Sequence, residues 1–165
     1  MLGQPLRGLG PTSLSDMGIP ELGDPILDLL VPVPPKGKDR PRTTKSGHVY
    51  TAAKTASTEQ SIRSEWAVQG EIQLPTGVPL WVHILAAFDR PKAHYAVDGS
   101  LKQRYADMQW VTKAPDGDNI LKLATDSLNK YAWDDDRAFS CSIVVKSWSD
   151  RSYPYILIRA GVLNV

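Results

Sequence analysis

The alternation of apolar and polar positions predicts four main strands along the chain. The clearest is PLWVHILAAF, residues 79–88, in which apolar residues occupy every second position. Apolar runs at residues 26–33 (ILDLLVPV), 139–148 (FSCSIVVKSW) and 155–160 (YILIRA) predict the other three. The last two runs are separated by SDRSYP, which predicts a hairpin. A shorter strand is expected in HVYTA, residues 48–52.

Two further segments show the spacing of amphipathic helices. Residues 55–70 offer Ser57 or Thr58 as the N-cap and have Gly70 where a helix typically ends. Residues 116–131 predict a second helix, whose apolar face consists of Ile120, Leu121, Ala124 and Leu128. The order of elements is strand, helix, strand, helix, strand, strand. This order predicts an α/β (α+β) fold, in which a small mixed sheet is packed with helices.

The composition predicts one globular domain. Residues 1–25 contain several glycines and prolines without a sustained period, which predicts a flexible N-terminal extension, whereas residues 26–165 suffice for one domain with a core. No apolar run is long enough for a membrane span, and we see no secretory signal. The single cysteine, Cys141, alternates with Ile143 in a predicted strand and is expected in the core. A single cysteine cannot form a disulfide within the chain, which fits a reducing compartment, so we expect a cytoplasmic protein.

Charges are separated along the chain although the formal net charge is only +1. Basic residues dominate the Pro/Gly-rich loop after the first strand and recur in the long polar connection at residues 90–113. An acidic segment follows. Such a separation predicts that one part of the protein binds a polyanion and another binds a cation. The alternative is that both segments are solvated surface.

The acidic segment is PDGDNILKLATDSLNKYAWDDD, which holds six carboxylates and two lysines in 22 residues. On a helix, Asp118, Lys122 and Asp126 lie along one stripe because they are four residues apart. The aspartate triplet comes just before the strand at residue 139. If the helix start and the strand start converge, each carboxylate pair repels by about 4 kcal/mol at 4 Å. A divalent cation such as Mg²⁺ or Mn²⁺ would remove that repulsion.

Simpler interpretations of the same residues stay open at this point. Asp116 or Asp118 can cap the helix and face its positive end. Lys122 can pair with Asp118 or Asp126 on neighbouring turns. The aspartate triplet can be an exposed turn.

The spacing of this segment resembles the signature of the RusA family of Holliday junction resolvases, which are metal-dependent endonucleases of bacteria and phages. The family pattern P-D-x-D-N-x-x-K-x-x-x-D-x-L, followed by a D-D pair before a strand, is filled here by Pro115, Asp116, Asp118, Asn119, Lys122, Asp126 and Leu128, then Asp135 and Asp136. VPVPPKGKDRPR and HVYTAAKT also resemble family segments. The similarity runs from Ile26 to Ala160. Two departures are the third consecutive aspartate and the N-terminal extension.

The resemblance implies roles for particular residues. It implies catalytic roles for Asp116, Asp118, Lys122 and Asp136. Metal ligands would be Asp116, Asp118 and Asp136, with Asp135 close by; we favour Asp136 over Asp135 because it is the last acid before the strand. Phosphate contacts are expected from the basic loop and from the residue just before the motif: Lys36, Lys38, Arg40, Arg42, Lys45 and Lys113.

The implied function is Mg²⁺-dependent cleavage of four-way DNA junctions by paired, symmetric cuts in recombination and repair, with Mn²⁺ as a substitute cation. The partners would be branched DNA and a second copy of the chain in a homodimer, with no membrane and no nucleotide cofactor. The host would be a bacterial or phage-infected cell. Three rivals are a non-catalytic module that binds branched DNA, a broader phage nuclease acting on flaps and forks, and a phage adaptor protein that works through the N-terminal extension.

Overall fold

A computed structural model describes residues 22–39, 42–43, 49–50 and 53–163. Its strands are β1 (Leu27–Val31), β2 (Arg42–Thr43), β3 (Val49–Tyr50), β4 (Leu80–Phe88), β5 (Phe139–Trp148) and β6 (Tyr155–Val162). Its α-helices are α1 (Ala53–Val68) and α2 (Gly117–Leu128). The predicted N-terminal extension lies outside the described residues as far as residue 21. No helix in the described ranges is long and apolar enough to cross a membrane.

The main sheet has four strands in the order β1-β6-β4-β5. Strands β4 and β5 run parallel, and the other neighbours are antiparallel. The short strands β2 and β3 pair with each other. This arrangement confirms the predicted α+β fold with a mixed sheet.

Both helices pack on the same face of this sheet. Alternate residues of the strands point into that interface, among them Leu29 of β1, Ile84 of β4 and Ile158 of β6, all of them fully buried. The helices contribute Ile62 of α1 and Ile120 of α2, which are also fully buried. Because the strand period is two and the helix period is 3.6, these spacings bring the apolar residues together in one core.

The predicted hairpin between the last two strands is wrong. Strand β5 pairs with β4 and not with β6, so β4 lies between the two strands. The physical reason is burial: six of the nine β4 positions are buried, whereas β5 has no buried residue. The strand that is apolar on both faces takes the interior position, and β5 takes the edge.

The predicted N-cap of the first helix is also wrong. Helix α1 begins at Ala53, so Ser57 and Thr58 lie inside it, and Thr58 is buried. The predicted end is close to the observed one, because α1 ends at Val68 and Gly70 has a φ of +94°. Glycine adopts such a left-handed conformation readily, which explains its place after the last turn.

The opposite face of the sheet carries no helix among the described elements. A row of apolar residues crosses all four strands there, from Leu30 through Leu157 and Leu85 to Val145. Cys141 lies on this face and is partly exposed. Its neighbour in the alternation, Ile143, is 38% exposed. The expectation that Cys141 belongs to the core is therefore wrong, because the pattern of an edge strand does not say which face the helices cover.

Candidate metal centre

Two of the predicted ligands lie at the start of α2. Asp116 occupies the N-cap position in an extended conformation, and Asp118 follows in the first turn. Both are exposed. The Asp116 carboxylate does not cap the helix, and neither side chain makes a hydrogen bond or ion pair with another described residue. The capping interpretation is thus not what the structure shows.

The turn before α2 is fixed to the edge strand β5. The Lys146 ammonium donates to the carbonyl oxygens of Lys113, at 2.7 Å, and Pro115, at 3.0 Å. Val144 precedes Lys146 by two residues and therefore lies on the same face of β5, where it contacts Gly117. Sequence reasoning missed Lys146, although a lysine among apolar residues on the core-facing positions of a strand is a signal that it binds a specific acceptor. Its two bonds hold the backbone that leads into Asp116.

The packing of Gly117 allows a stability prediction. A Cβ at this position would lie 3.7 Å from Val144 Cγ1, which is ordinary contact. Because alanine restricts the unfolded chain and favours helix, we expect Gly117→Ala to raise the free energy of unfolding by about 0.5 kcal/mol. Urea denaturation with an unchanged m value measures this.

Gly161→Ala is the matched contrast to Gly117→Ala. A Cβ there would lie 2.9 Å from both the Asp24 carbonyl oxygen and Trp81 Nε1. Overpacking of this kind is expected to destabilise the protein by about 1–3 kcal/mol. A loss of stability in Gly117→Ala would contradict the packing of α2 described above.

The other two predicted ligands lie just before β5. Asp135 accepts hydrogen bonds from the backbone N–H of Arg137, at 3.0 Å, and from its Nε, at 2.8 Å. These two bonds hold the pKa of Asp135 below its ordinary value, and the bond from the backbone N–H has the larger effect. Asp136 opens the same short turn and is exposed. Asp136 is therefore the less engaged of the two carboxylates.

The two pairs of carboxylates lie toward opposite ends of α2. The start of α2 faces Val144, in the middle of β5. The end of α2 lies near the start of β5, because Asn129 accepts from Trp133 Nε1 at 2.9 Å and the Trp133 ring lies 4.9 Å from that of Phe139. Val144 is five positions after Phe139 in the strand, which is about 16 Å of extended chain. The described part of the chain accordingly contains no group of three or more acidic, histidine or cysteine side chains that could hold a metal ion.

The structure thus brings Asp116 together with Asp118, and Asp135 with Asp136, but does not bring all four together. The chemistry of the first pair still fits a hard cation. Mg²⁺ keeps several waters and is typically held by one or two carboxylates together with substrate phosphates. Two exposed carboxylates without other partners in the described residues meet that requirement.

Lys122 lies one turn after Asp118 and is exposed. Its ammonium makes no ion pair with Asp118 or Asp126. Asp126 is paired with Lys38 of the loop after β1. The interpretation of Lys122 as a partner of its helical neighbours is therefore not supported, and its charge is available to a ligand at the start of α2.

The predicted phosphate contacts occupy different environments. Lys36 is partly exposed and Lys113 is exposed. Lys38 is engaged by carboxylates. Arg40 and Lys45 lie outside the described residues, as does the side chain of Arg42 in β2.

A stack of rings and cations orders the basic segment between β4 and α2. The His94 ring stacks on Tyr105 at 3.9 Å and meets Trp148 edge-on at 5.2 Å. Arg90 donates to the carbonyl oxygens of Tyr105 and Met108. Burial, and then the nearby cations led by Arg90, lower the pKa of His94. The ring contacts thus hold His94 within a basic segment.

Comparison with known proteins identifies one family. The family model described as Endodeoxyribonuclease RusA matches residues 32–159, which is more than half of the chain. The matched range includes both carboxylate pairs, Lys122 and the predicted phosphate contacts. Comparison with curated proteins gives no match.

Proposed function

The chain belongs to the RusA endodeoxyribonuclease family, and from this premise we propose that it resolves four-way DNA junctions by Mg²⁺-dependent hydrolysis. The family makes the protein a nuclease of the kind that acts on Holliday junctions. The observation that carries the finer proposal is the pair Asp116 and Asp118, exposed and unpaired among the described residues at the start of α2. Lys122 stands one turn further along the same helix.

Each group in this arrangement has a separate task in phosphodiester hydrolysis. A bound Mg²⁺ would supply Lewis-acid chemistry and lower the pKa of water. Asp116 and Asp118 would hold it, since their carboxylates are hard oxygen donors. As the water oxygen forms its bond to phosphorus and the bond to the leaving sugar oxygen breaks, negative charge grows on the phosphate oxygens. The Lys122 ammonium would stabilise that charge.

A two-fold dimer would satisfy two requirements at once. Resolution of a four-way junction needs two cuts on opposing strands, and a dimer has two sites. The separation of the carboxylate pairs within one chain also supports it, because a second copy could place the start of its β5, with Asp136, beside the α2 start of the first. We therefore propose a homodimer in which each site draws on both chains.

Cleavage of a synthetic four-way junction tests the proposal. We expect paired, symmetric nicks that require Mg²⁺ or Mn²⁺, disappear in EDTA and persist in an excess of linear duplex. Tight junction binding without cleavage in either cation would contradict the catalytic proposal and favour a binding module. Cleavage of flaps and forks at rates equal to those of four-way junctions would instead favour a broader nuclease.

A further inference from the structure

The loop after β1 is packed directly onto the start of α2. The backbone N–H of Lys38 donates to the carbonyl oxygen of Asn119 at 3.0 Å. A Cβ on Gly37 would lie 3.0 Å from the Cβ atoms of both Pro115 and Asn119. At this distance there is no space for a larger residue without movement of the loop or the helix. The loop therefore touches the same turn that carries Asp116.

The Lys38 side chain extends this contact to both helices. Its ammonium pairs with Asp126 of α2 and lies 3.5 Å from Glu59 Oε1 of α1. Only 23% of the Lys38 side chain is exposed, and the two carboxylates are covered to a similar degree. Arg63 continues the network, because it lies 4.0 Å from Glu59 and donates to the Ser127 carbonyl oxygen.

The next residue of the loop is tied to α1 as well. The Asp39 backbone N–H donates to Thr55 Oγ1 at 3.4 Å, and that hydroxyl donates to the Asp39 carboxylate at 3.2 Å. Thr55 is buried. The segment from Gly37 to Asp39 thus bridges α1 and α2 through both backbone and side chains.

We infer that Lys38 is a positioning residue that sets the place of α2, and with it Asp116, Asp118 and Lys122, relative to the loop after β1, which carries the proposed phosphate contacts. A DNA phosphate would have to displace two partly buried carboxylates to reach this ammonium, and partly buried pairs are screened less by salt than exposed ones. Its neighbour Lys36 makes no hydrogen bond or ion pair with another described residue and remains available to phosphate. The inference rests on the proposed function, because its main readout is junction cleavage.

The test compares Lys38→Met with Lys36→Met in the full chain on one four-way junction. For Lys38→Met we expect the single-turnover cleavage rate at saturating protein to fall about tenfold to a hundredfold, as misplacement of catalytic groups by an ångström does. The slope of log affinity against log salt, measured in EDTA, should stay at the wild-type value. For Lys36→Met that slope should fall by about 0.9, because one phosphate contact is lost.

Asp126→Asn provides a second route to the same disruption. It removes one of the two carboxylates that contact Lys38 and makes the protein less negative, so electrostatics alone would strengthen DNA binding. We expect it to lower the cleavage rate as Lys38→Met does, and the double variant to be no slower than either single one, since all three lack the same pair. Lys130→Met, which breaks the exposed pair with Asp134, should cleave at the wild-type rate.

The outcomes separate the two proposals. A Lys38→Met protein that cleaves at the wild-type rate when saturated, but shows the reduced salt slope of Lys36→Met, would overturn the inference and make Lys38 a phosphate contact. If the unaltered protein cuts no junction in Mg²⁺ or Mn²⁺, the proposed function fails instead. Amide hydrogen exchange at Ile120, whose N–H donates to the Asp116 carbonyl oxygen, then still tests the positioning role: faster exchange in Lys38→Met than in Lys36→Met supports it, and equal exchange contradicts it.

Discussion

Asp118→Asn is expected to reduce Mg²⁺-dependent junction cleavage by about a thousandfold or more, since metal ions contribute several kcal/mol of charge stabilisation and each 1.36 kcal/mol is a factor of ten. Asparagine keeps the size of the side chain but removes the charge that would hold the cation in the proposed mechanism. Asp118 is exposed and unpaired among the described residues, so the free energy of unfolding should change by no more than about 0.5 kcal/mol. Single-turnover cleavage, with junction affinity measured in EDTA, checks both statements.

The control for this substitution is Asp107→Asn, which removes the same charge from another exposed aspartate outside the site. It should cleave at the wild-type rate. A large loss of activity in Asp107→Asn, or an Asp118→Asn protein that retains activity, would show that the carboxylate at the start of α2 has no special role.

Mixing variants extends the same prediction to the dimer. If each site combines the α2 start of one chain with the β5 start of the other, a dimer of one Asp118→Asn chain and one Asp136→Asn chain keeps one intact site. The mixture should then recover single nicks without paired cuts. If every site lies within one chain, both chains of the mixed dimer are defective and no activity returns.

Lys122→Met is expected to lower the cleavage rate by about a hundredfold to a thousandfold, the range found when one donor that stabilises developing charge is removed. The ammonium is exposed and pairs with no described residue, so its removal should leave folding intact. The loss should appear in the rate at saturating protein and not in junction affinity in EDTA. Lys122→Arg should retain part of the activity, because it keeps a positive charge at the same place.

Lys130→Met serves again as the matched lysine, because Lys130 lies eight residues further along the chain, beyond the end of α2, and is paired with Asp134. A Lys122→Met protein with reduced affinity and an unchanged rate at saturation would place Lys122 among the phosphate contacts. That result would leave the stabilisation of negative charge to the cation alone.

The sequence could predict the elements because their patterns are local. Strand β5 begins and ends where the apolar run does, at Phe139 and Trp148, and β4 differs by one residue. Pairing is different, since the hydrogen bonds of a sheet join residues that are distant in the chain. The six residues between β5 and β6 resemble a hairpin turn, yet they cross over β4, and nothing in their own sequence reports that strand.

The same distinction applies to the candidate site. The motif identified Asp116, Asp118 and Lys122 because their spacing along one helix is a local property. It could not show that Asp126 pairs with Lys38, which is 88 positions away, and it predicted a convergence of helix start and strand start that one chain does not produce. The Lys38 ion pair depends on how the loop packs between two helices, which only the folded chain determines.

The place of β6 in the sheet determines when the fold of this nuclease can be completed during synthesis. It is the last strand in chain order, yet it lies between β1 and β4, and it pairs Leu27 with Ala160. Contacts between such distant residues form slowly, because a long loop must close before they stabilise anything. During synthesis, α2 and its carboxylates leave the ribosome before the strand that joins the two parts of the sheet. A chain that is still being translated therefore carries Asp116 and Asp118 before the strand that joins the two parts of the sheet is present, and the described fold is complete only after β6 has emerged.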